Sequence, residues 1–367
     1  MNPIGLYIHV PFCKKKCPYC DFYSCVATQA LMDKYTETVI KILKDYSQKS
    51  HLSFDTVYFG GGTPSLLGVK NLSKIVTTVK NNFEFSAKEV TLEVNPTPTD
   101  LLDFEKLREI RINRLSIGLQ SAVDSELKLL GRQHSVKDVE RVLKLAKSAG
   151  FTNISLDLMV ATPKQTLNSL KESIDFCVAQ NVQHISAYLL KLEKGTLFYK
   201  NKEKLNLKTE QEEAEMYLFL VSELEKNGFK QYEISNFSKD GYKGIHNLKY
   251  WNAEEYLGIG PSAHSFLDGR RFFYPRSLNN FLSEKAKTVD DGVGGTIEEY
   301  IMLKLRLCEG LNNEAFKSRF DTDIPEVYLK KAKEFQRYGL TFADGKNIRL
   351  TTKGFLLSNE IISRVIF

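Results

Sequence analysis

The sequence predicts an α/β fold built on a parallel sheet, followed by a smaller α+β segment. Three observations carry this. Over the first 230 residues, six short β-rich segments alternate with six amphipathic helical patterns. Such alternation marks βαβ units with right-handed crossovers. Residues 231–290 then turn loop-rich and aromatic, as in QYEISNF, HNLKYWN and RRFFYP. From about Thr296 a helical pattern returns, and NIRLTTKGFLLSNEIISRVIF closes the chain as strand plus helix, of winged-helix type.

Taken in order, the first strand is expected over 5–10 (GLYIHV) and the first helix over about 29–49. Strands follow at 55–59 (DTVYF), 89–94 (EVTLEV), 114–119 (RLSIGL), 153–160 (NISLDLMV) and 184–190 (HISAYLL). Each is rich in Val, Ile, Leu or aromatics and bounded by turn residues. The intervening helices are expected over about 69–81, 99–110, 135–149 and 165–180, with a long one over 209–227. Thr99 and Ser135 read as N-caps, and Gly150 and Gly228 as stops. A barrel, or most of one, satisfies this pattern, and so does an open doubly wound sheet. Three units are expected: 1–230, 231–290 and 291–367.

Composition narrows the class. The 367 residues are 42% hydrophobic and 26% charged, enough apolar residues for a full core. Lys plus Arg exceed Asp plus Glu by 6, an excess too weak to imply nucleic acid. No apolar run approaches the ~18 residues of a membrane span. The start, MNPIGLYIHVPF, lacks the pattern of a signal peptide. A reducing, cytoplasmic setting is expected.

The cysteines carry the chemistry. Cys13, Cys17 and Cys20 form C-x3-C-x2-C just after the first strand. Three thiolates on one loop can ligate three irons of a [4Fe–4S] cube and leave the fourth open to an external ligand. A zinc site is the alternative and would need Cys25 or His9 as a fourth ligand. Lys14, Lys15 and Lys16 would favour thiolates, or are a solvated basic surface. Cys177 and Cys308 read as small buried hydrophobes, and Cys25 has no role. The glycine run 60–62 follows the second strand, where a backbone could approach a ligand or merely turn. Glu93, Gln120 and Asp157 sit in or at the ends of later strands. An acid in an apolar strand needs a partner, either a ligand or a hydrogen bond at the wall.

C-x3-C-x2-C with Tyr19 before its third cysteine resembles the radical S-adenosylmethionine superfamily. YIHVPFC, CPYCDFYS, YFGGGTPS, LEVNP, NRLSIGLQS, LGRQHS and HISAYLL resemble the oxygen-independent coproporphyrinogen III oxidase group along nearly the whole chain. The resemblance implies a partial (β/α)6 TIM-like barrel with its site at the C-terminal strand ends. It implies a [4Fe–4S] cluster on Cys13, Cys17 and Cys20, with S-adenosylmethionine at the open iron. Tyr7, Tyr19, Gly61, Gly62, Thr63, Glu93, Gln120, Arg132 and Asp157 would contact that cofactor.

The group has a dehydrogenase branch and a heme-chaperone branch. Phe22 stands where the dehydrogenase carries a fourth cysteine. Cys13 is close to the start, so the dehydrogenase's substrate-covering N-terminal extension is expected to be absent. HNLKYW (246–251) matches the chaperone motif H-N-x-x-Y-W. The resemblance therefore implies heme as a third cofactor, contacted by His246, Tyr250 and Trp251, and its delivery to hemoproteins such as respiratory-chain components. His264 is a second candidate histidine. Arg270, Arg271 and Arg276 are either propionate partners or surface charge. A reductant or iron–sulfur carrier protein is a further implied partner, and a homodimer or a peripheral membrane contact is compatible with it. No catalytic residue is assigned. The alternative activity is decarboxylation of coproporphyrinogen III.

Overall fold

Near-continuous runs of buried aliphatic residues form the strands, as expected where both faces of a parallel sheet are covered. The computed structural model describes residues 2–97, 102–283 and 286–367. Strands β1 (Ile4–Val10), β2 (Ser53–Gly61), β3 (Glu84–Val94), β4 (Arg114–Gln120), β5 (Ile154–Val160) and β6 (His184–Leu189) pair in parallel in sequence order. Between or beside them run α1 (Gln29–Lys49), α2 (Gly68–Asn82), α3 (Phe104–Glu109), α4 (Asp124–Leu129), α5 (Val136–Ser148), α6 (Leu167–Ala179), α7 (Leu197–Lys200) and α8 (Glu210–Lys226). The result is a partial barrel of mixed α/β type.

The helices are set by their caps and stripes. Ser135 and Asp138 close a capping box at α5, and Thr209 and Glu212 one at α8. In α5, Val139, Val142, Leu143 and Ala146 are buried, the i, i+3, i+4, i+7 stripe of a helix lying on a sheet. Burying one such leucine contributes about 2 kcal/mol. The third helix is shorter than expected, because Asp103 caps α3 by accepting from the Lys106 amide at 3.0 Å. Thr99, expected as that cap, lies outside the described residues. The short α4 was not expected. Its six residues are too few to show a helical period.

The loop-rich stretch does more than connect. It threads β7 (Lys230–Gln231), β8 (Asn236–Ser238), β9 (Tyr256–Ile259), β10 (His264–Leu267), β11 (Arg270–Phe273) and β12 (Val289–Val293) onto the same sheet. The order is β12-β11-β10-β9-β1-β2-β3-β4-β5-β6-β8-β7. β9 joins β1 in parallel, and the outer strands add antiparallel flanks. Between them lie α9 (Ile245–Trp251) and α10 (Leu278–Phe281). Strands of two to five residues fall below the length at which alternation can be read.

The C-terminal segment comprises α11 (Ile297–Lys304), β13 (Leu311–Asn312), α12 (Asn313–Phe320), α13 (Glu326–Gln336), β14 (Thr341–Ala343), β15 (Asn347–Leu350), α14 (Thr352–Leu356) and α15 (Ser358–Ile366). Its strands form an antiparallel sheet of order β13-β15-β14, matching the expected α+β appendage.

Candidate cofactor site at the C-terminal mouth of the barrel

The parallel strands β1–β6, apart from the first half of β3, are buried along most of their length and open at a few positions. On β1 the half-exposed residue is Tyr7, and on β5 it is Asp157. Near the end of β3 it is Glu93, at the end of β4 Gln120, and on β6 Tyr188 is exposed. Four of these five positions are polar side chains that the sequence reading had singled out. They mark a solvent-accessible lumen toward the C-terminal ends of the strands, where barrels of this kind place their sites.

The cysteine loop leaves β1 at Val10 and is closed at its base by backbone bonds. The Cys13 amide donates to the Cys25 carbonyl at 3.0 Å, and the Cys25 amide to the Pro11 carbonyl at 2.7 Å. Cys25 thus staples the loop through its main chain. The Cys20 amide turns back to the Cys17 carbonyl at 3.2 Å. From the far side, Arg276 reaches the Asp21 carbonyl and carboxylate, and the Leu278 amide donates to the Tyr23 hydroxyl at 2.8 Å. Cys13, Cys17 and Cys20 are free, half-exposed thiols. Burial, with the neighbouring Cys17 and Cys13 adding to it, pushes the Cys20 thiol up. The donor chemistry fits a thiolate-bound cluster. Among the described residues, no three His, Cys, Asp or Glu side chains are already gathered as a coordination set. His9, the alternative zinc ligand, has both ring nitrogens engaged, by the Tyr7 hydroxyl at 3.0 Å and the Tyr23 carbonyl at 3.1 Å.

Facing the loop is the glycine run. The Gly62 amide donates to the Val10 carbonyl at 2.9 Å, and the Thr63 amide to that of Phe12 at 2.7 Å. A Cβ on Gly62 would stand 2.6 Å from the Phe12 carbonyl oxygen. Gly61, at φ +113°, lies in the region that favours glycine, and a Cβ there would meet the His9 ring at 2.7 Å. Both glycines are therefore required by the loop itself. The Thr63 hydroxyl lies 3.6 Å from the Cys13 sulfur.

Arg132 ties the walls together. It donates to the Cys17 sulfur at 3.7 Å, to the Gly118 carbonyl at 3.1 Å and to the Asn95 side chain. It also interacts with Tyr19. Gln120, at φ +69°, is held in a left-handed conformation beside it, over Gly118. Glu93 accepts from the Tyr58 hydroxyl at 2.9 Å and the Gly61 amide at 3.2 Å. Burial and the nearby Asp157 carboxylate push it up to about 7. Asp157 accepts from the Ser116 hydroxyl at 3.0 Å, and burial raises it to about 6. The structure thus gathers all nine expected cofactor residues around one mouth.

The three expected heme residues lie elsewhere. α9 packs across the N-terminal halves of the strands, at the opposite end of the barrel. The His246 ring is fully buried, 2.8 Å from the Thr56 hydroxyl through Nδ1 and 2.7 Å from the Tyr250 hydroxyl through Nε2. It stacks on Tyr58 with ring centres 5.3 Å apart. Burial, with Lys249 and Arg114 nearby, lowers it to about 3, so it is neutral. Glu89, paired with the buried Arg114, accepts from the Ile245 and His246 amides at 2.9 and 3.0 Å and seats the helix. Both nitrogens of His246, expected among the heme residues, are thus engaged by protein hydroxyls in this conformation. Tyr250 and Trp251 are half-exposed. His264 is exposed, with its ring against Phe273. Arg270 and Arg276 pair with Asp290 and Asp21 as exposed surface charge, whereas Arg271 pairs with Glu299 in a part-buried contact.

Tyr58, Asn95 and Ser116 were not singled out from the sequence. Tyr58 alternates inward on β2 one turn of the pleat before the glycine run, a signal that period 2 could have given.

Residues 7–177 match the Radical SAM superfamily, and residues 296–357 the HemN C-terminal domain. The chain is 32% identical to the heme chaperone HemW of Lactococcus lactis, over 99% of this chain and 97% of that protein. To the heme chaperone HemW of Bacillus subtilis it is 34% identical, over 97% of each. Its fold is similar to that of the coproporphyrinogen III oxidase HemN of Escherichia coli, a radical SAM enzyme, with a TM-score of 0.85 and 22% identity over 99% of this chain and 90% of that one. By this end-to-end likeness, the chain belongs to the heme chaperone HemW family of the radical SAM superfamily.

Proposed function

We propose that this protein is a heme chaperone that carries a [4Fe–4S] cluster on Cys13, Cys17 and Cys20, binds S-adenosylmethionine at the open iron, and delivers heme to hemoproteins such as respiratory-chain components. The observation that carries the reading is the 32–34% identity to heme chaperones over nearly the full length of both chains. In this reading, units 1–230, 231–290 and 291–367 hold the cluster and cofactor, the heme motif and the HemN-type appendage. The protein works in the cytoplasm. Among the described residues no helix is long and apolar enough to cross a membrane.

When bound, the cluster supplies an open iron for chelation by the cofactor and an electron for its reduction. The chain's own residues do the rest. Arg132 donates to the Cys17 sulfur and to the Gly118 carbonyl and so fixes the distance between the loop and β4. The glycines at 61 and 62 let the β2 end lie against the loop, so a ligand meets backbone rather than side chain. Glu93, poised near neutrality, accepts a proton or a donated hydrogen bond from a cofactor amine. Gln120 at the end of β4 and Asp157 within β5 offer further acceptors, and Tyr7 and Tyr19 offer rings. Heme binds at the α9 end, against Tyr250 and Trp251, with His246 as the anchor that holds the helix.

One anaerobic experiment tests the reading. The reconstituted protein is given S-adenosylmethionine, reductant and coproporphyrinogen III, and separately titrated with heme. A stoichiometric Soret band without protoporphyrinogen IX is expected. Protoporphyrinogen IX would establish the dehydrogenase activity instead, and a missing Soret band would remove the heme role.

A further inference from the structure

Gln120 sits on a one-residue bulge. Along the β4–β5 pair, Ile117 lies opposite Leu156 but Gln120 lies opposite Leu158, so β4 carries one residue more than its partner. Bulges beside a site re-aim a side chain. Here Gln120, at φ +69°, takes the left-handed conformation that a Cβ disfavours. A residue held in such a region persists only where its surroundings over-determine it. Glycine would take this turn without strain but would carry no amide. The Gln120 amide lies over Gly118: a Cβ there would stand 2.8 Å from Gln120 Nε2 and 2.9 Å from Arg132 Nη2. The bulge thus sets the Gln120 amide beside the Arg132 guanidinium, over a position that has no side chain.

Both neighbours of Gln120 are pinned by buried side chains. On one side, His134 Nε2 donates to the Leu119 carbonyl at 3.3 Å. That carbonyl lies in the stretch where the ladder to β5 slips register. On the other side, Glu126 accepts from the Ser121 hydroxyl at 2.7 Å and is held in turn by the Gln165 amide at 3.2 Å. The Ala122 amide then donates to the Ser173 hydroxyl at 2.9 Å. Glu126 belongs to the short α4, and the next residue, Leu127, accepts from the Arg132 amide at 2.9 Å. His134, Glu126 and Ser121 are all buried. Burial and the nearby Arg132 lower His134 to about 4, so its ring is neutral. Among the described residues its Nδ1 finds no hydrogen-bond partner, which leaves the Leu119 carbonyl as the ring's polar contact.

We propose that His134 and Glu126 are positioning residues: they clamp the peptides on either side of Gln120 and so aim its amide beside Arg132 at the mouth. Both are buried, so they act through Gln120 and not on a ligand. The purpose of the clamp rests on the reading of this mouth as the S-adenosylmethionine site. The clamp itself does not.

The test uses the anaerobically reconstituted full chain, without reductant and with its iron content recorded. Binding of S-adenosylmethionine is measured by equilibrium dialysis. His134→Phe keeps a ring and deletes the donor; it should load iron as wild type does and bind about tenfold more weakly. His134→Gln, which keeps an N–H donor, should recover most of that loss. In a Gln120→Ala background the His134→Phe change should weaken binding by less than about twofold, because the group it aims is gone. A residue that supports only the fold would weaken binding equally in both backgrounds. Gly118→Ala displaces the ends of Gln120 and Arg132 while leaving the clamp in place, and should weaken binding several-fold. Amide exchange on the apoprotein reads the clamp alone: amides 119–123 should exchange at least about tenfold faster in His134→Phe and in Glu126→Ala, and at the wild-type rate in Gly118→Ala. Wild-type affinity in His134→Phe, an equal loss in both backgrounds, or unchanged exchange would overturn the inference. Glu126→Ala, carried through the same cycle, decides the matter if His134→Phe does not fold. If wild type binds no S-adenosylmethionine, the cofactor reading fails instead, and exchange still decides the clamp.

Discussion

Replacing His246 by Ala separates an anchor from a ligand. In the native protein the ring bridges β2 and its own helix through Thr56 and Tyr250 and lies flat on Tyr58. Removing it deletes two hydrogen bonds worth about 1 kcal/mol each and leaves the buried Thr56 hydroxyl without that partner, at about 1–3 kcal/mol. The loss is at least about 3–5 kcal/mol, a large part of a typical 5–15 kcal/mol, and the vacated ring adds a cavity term to it. Urea unfolding of the apoprotein at pH 8 should show a much lower midpoint, and heme binding should weaken because α9 is unseated. His246→Gln, which keeps an amide for Thr56, should recover part of both. It should also change the acid limb. The folded imidazole stays neutral down to about 3, while an unfolded one protonates near 6.5. The unfolded state therefore binds more protons below pH 6.5, and stability falls with falling pH by up to ~1.4 kcal/mol per pH unit for this one group. The glutamine variant lacks that contribution, so its disadvantage relative to wild type should shrink between pH 6.5 and 4. If His246→Ala unfolds at the wild-type urea midpoint while heme affinity collapses, the anchoring account is wrong and His246 is an iron ligand.

Four further outcomes follow from the cysteine mouth. Gly62→Ala places a Cβ 2.6 Å from the Phe12 carbonyl oxygen and must push the loop bearing Cys13; iron bound after reconstitution should fall several-fold. Arg132→Lys cannot span the Asn95 side chain, the Gly118 carbonyl and the Cys17 sulfur together, and should weaken S-adenosylmethionine binding about tenfold in equilibrium dialysis. Cys25→Ala should keep full iron content, because Cys25 closes the loop through its backbone, whereas Cys13→Ala should lose it. Tyr58→Phe removes a donor that holds Glu93 down, so Glu93 should rise above about 7. Cofactor affinity should then drop at pH 7 and recover toward pH 8.5, a profile that isothermal titration at several pH values can follow.

The strand–helix alternation was legible because parallel strands are uniformly apolar and each crossover helix has its own period and cap. Strands β1 to β6 fell within a few residues of their expected bounds for that reason. The cysteine spacing and the glycine run were legible because both are local. The short strands of 231–290 were not, since a three-residue strand such as Asn236–Ser238 has no period to detect and exists only through its neighbour. The placement of His246 was hidden for a related reason. A motif tells which residues travel together, but its environment is fixed by contacts made 190 residues away, here Thr56, or 157 away, Glu89. A histidine with an aromatic four residues on looks the same whether the pair faces solvent or bonds to itself.

That placement joins the α9 end of the barrel to the cysteine end through shared side chains. Tyr58 belongs to both. Its ring supports His246 on the α9 side, and its hydroxyl donates to Glu93 on the cysteine side. Glu93 in turn accepts from the Gly61 amide, so the path ends at the backbone against which the cysteine loop is packed. A shift of α9 cannot leave the Tyr58 ring in place without opening a gap in a packed interior, and a shifted ring cannot keep its hydroxyl on Glu93 at 2.9 Å. Losing that donor raises Glu93 and changes its charge near neutral pH. A displacement of α9 and the ionisation of Glu93 at the cysteine end are thereby linked through one side chain, and the linkage must run equally in both directions.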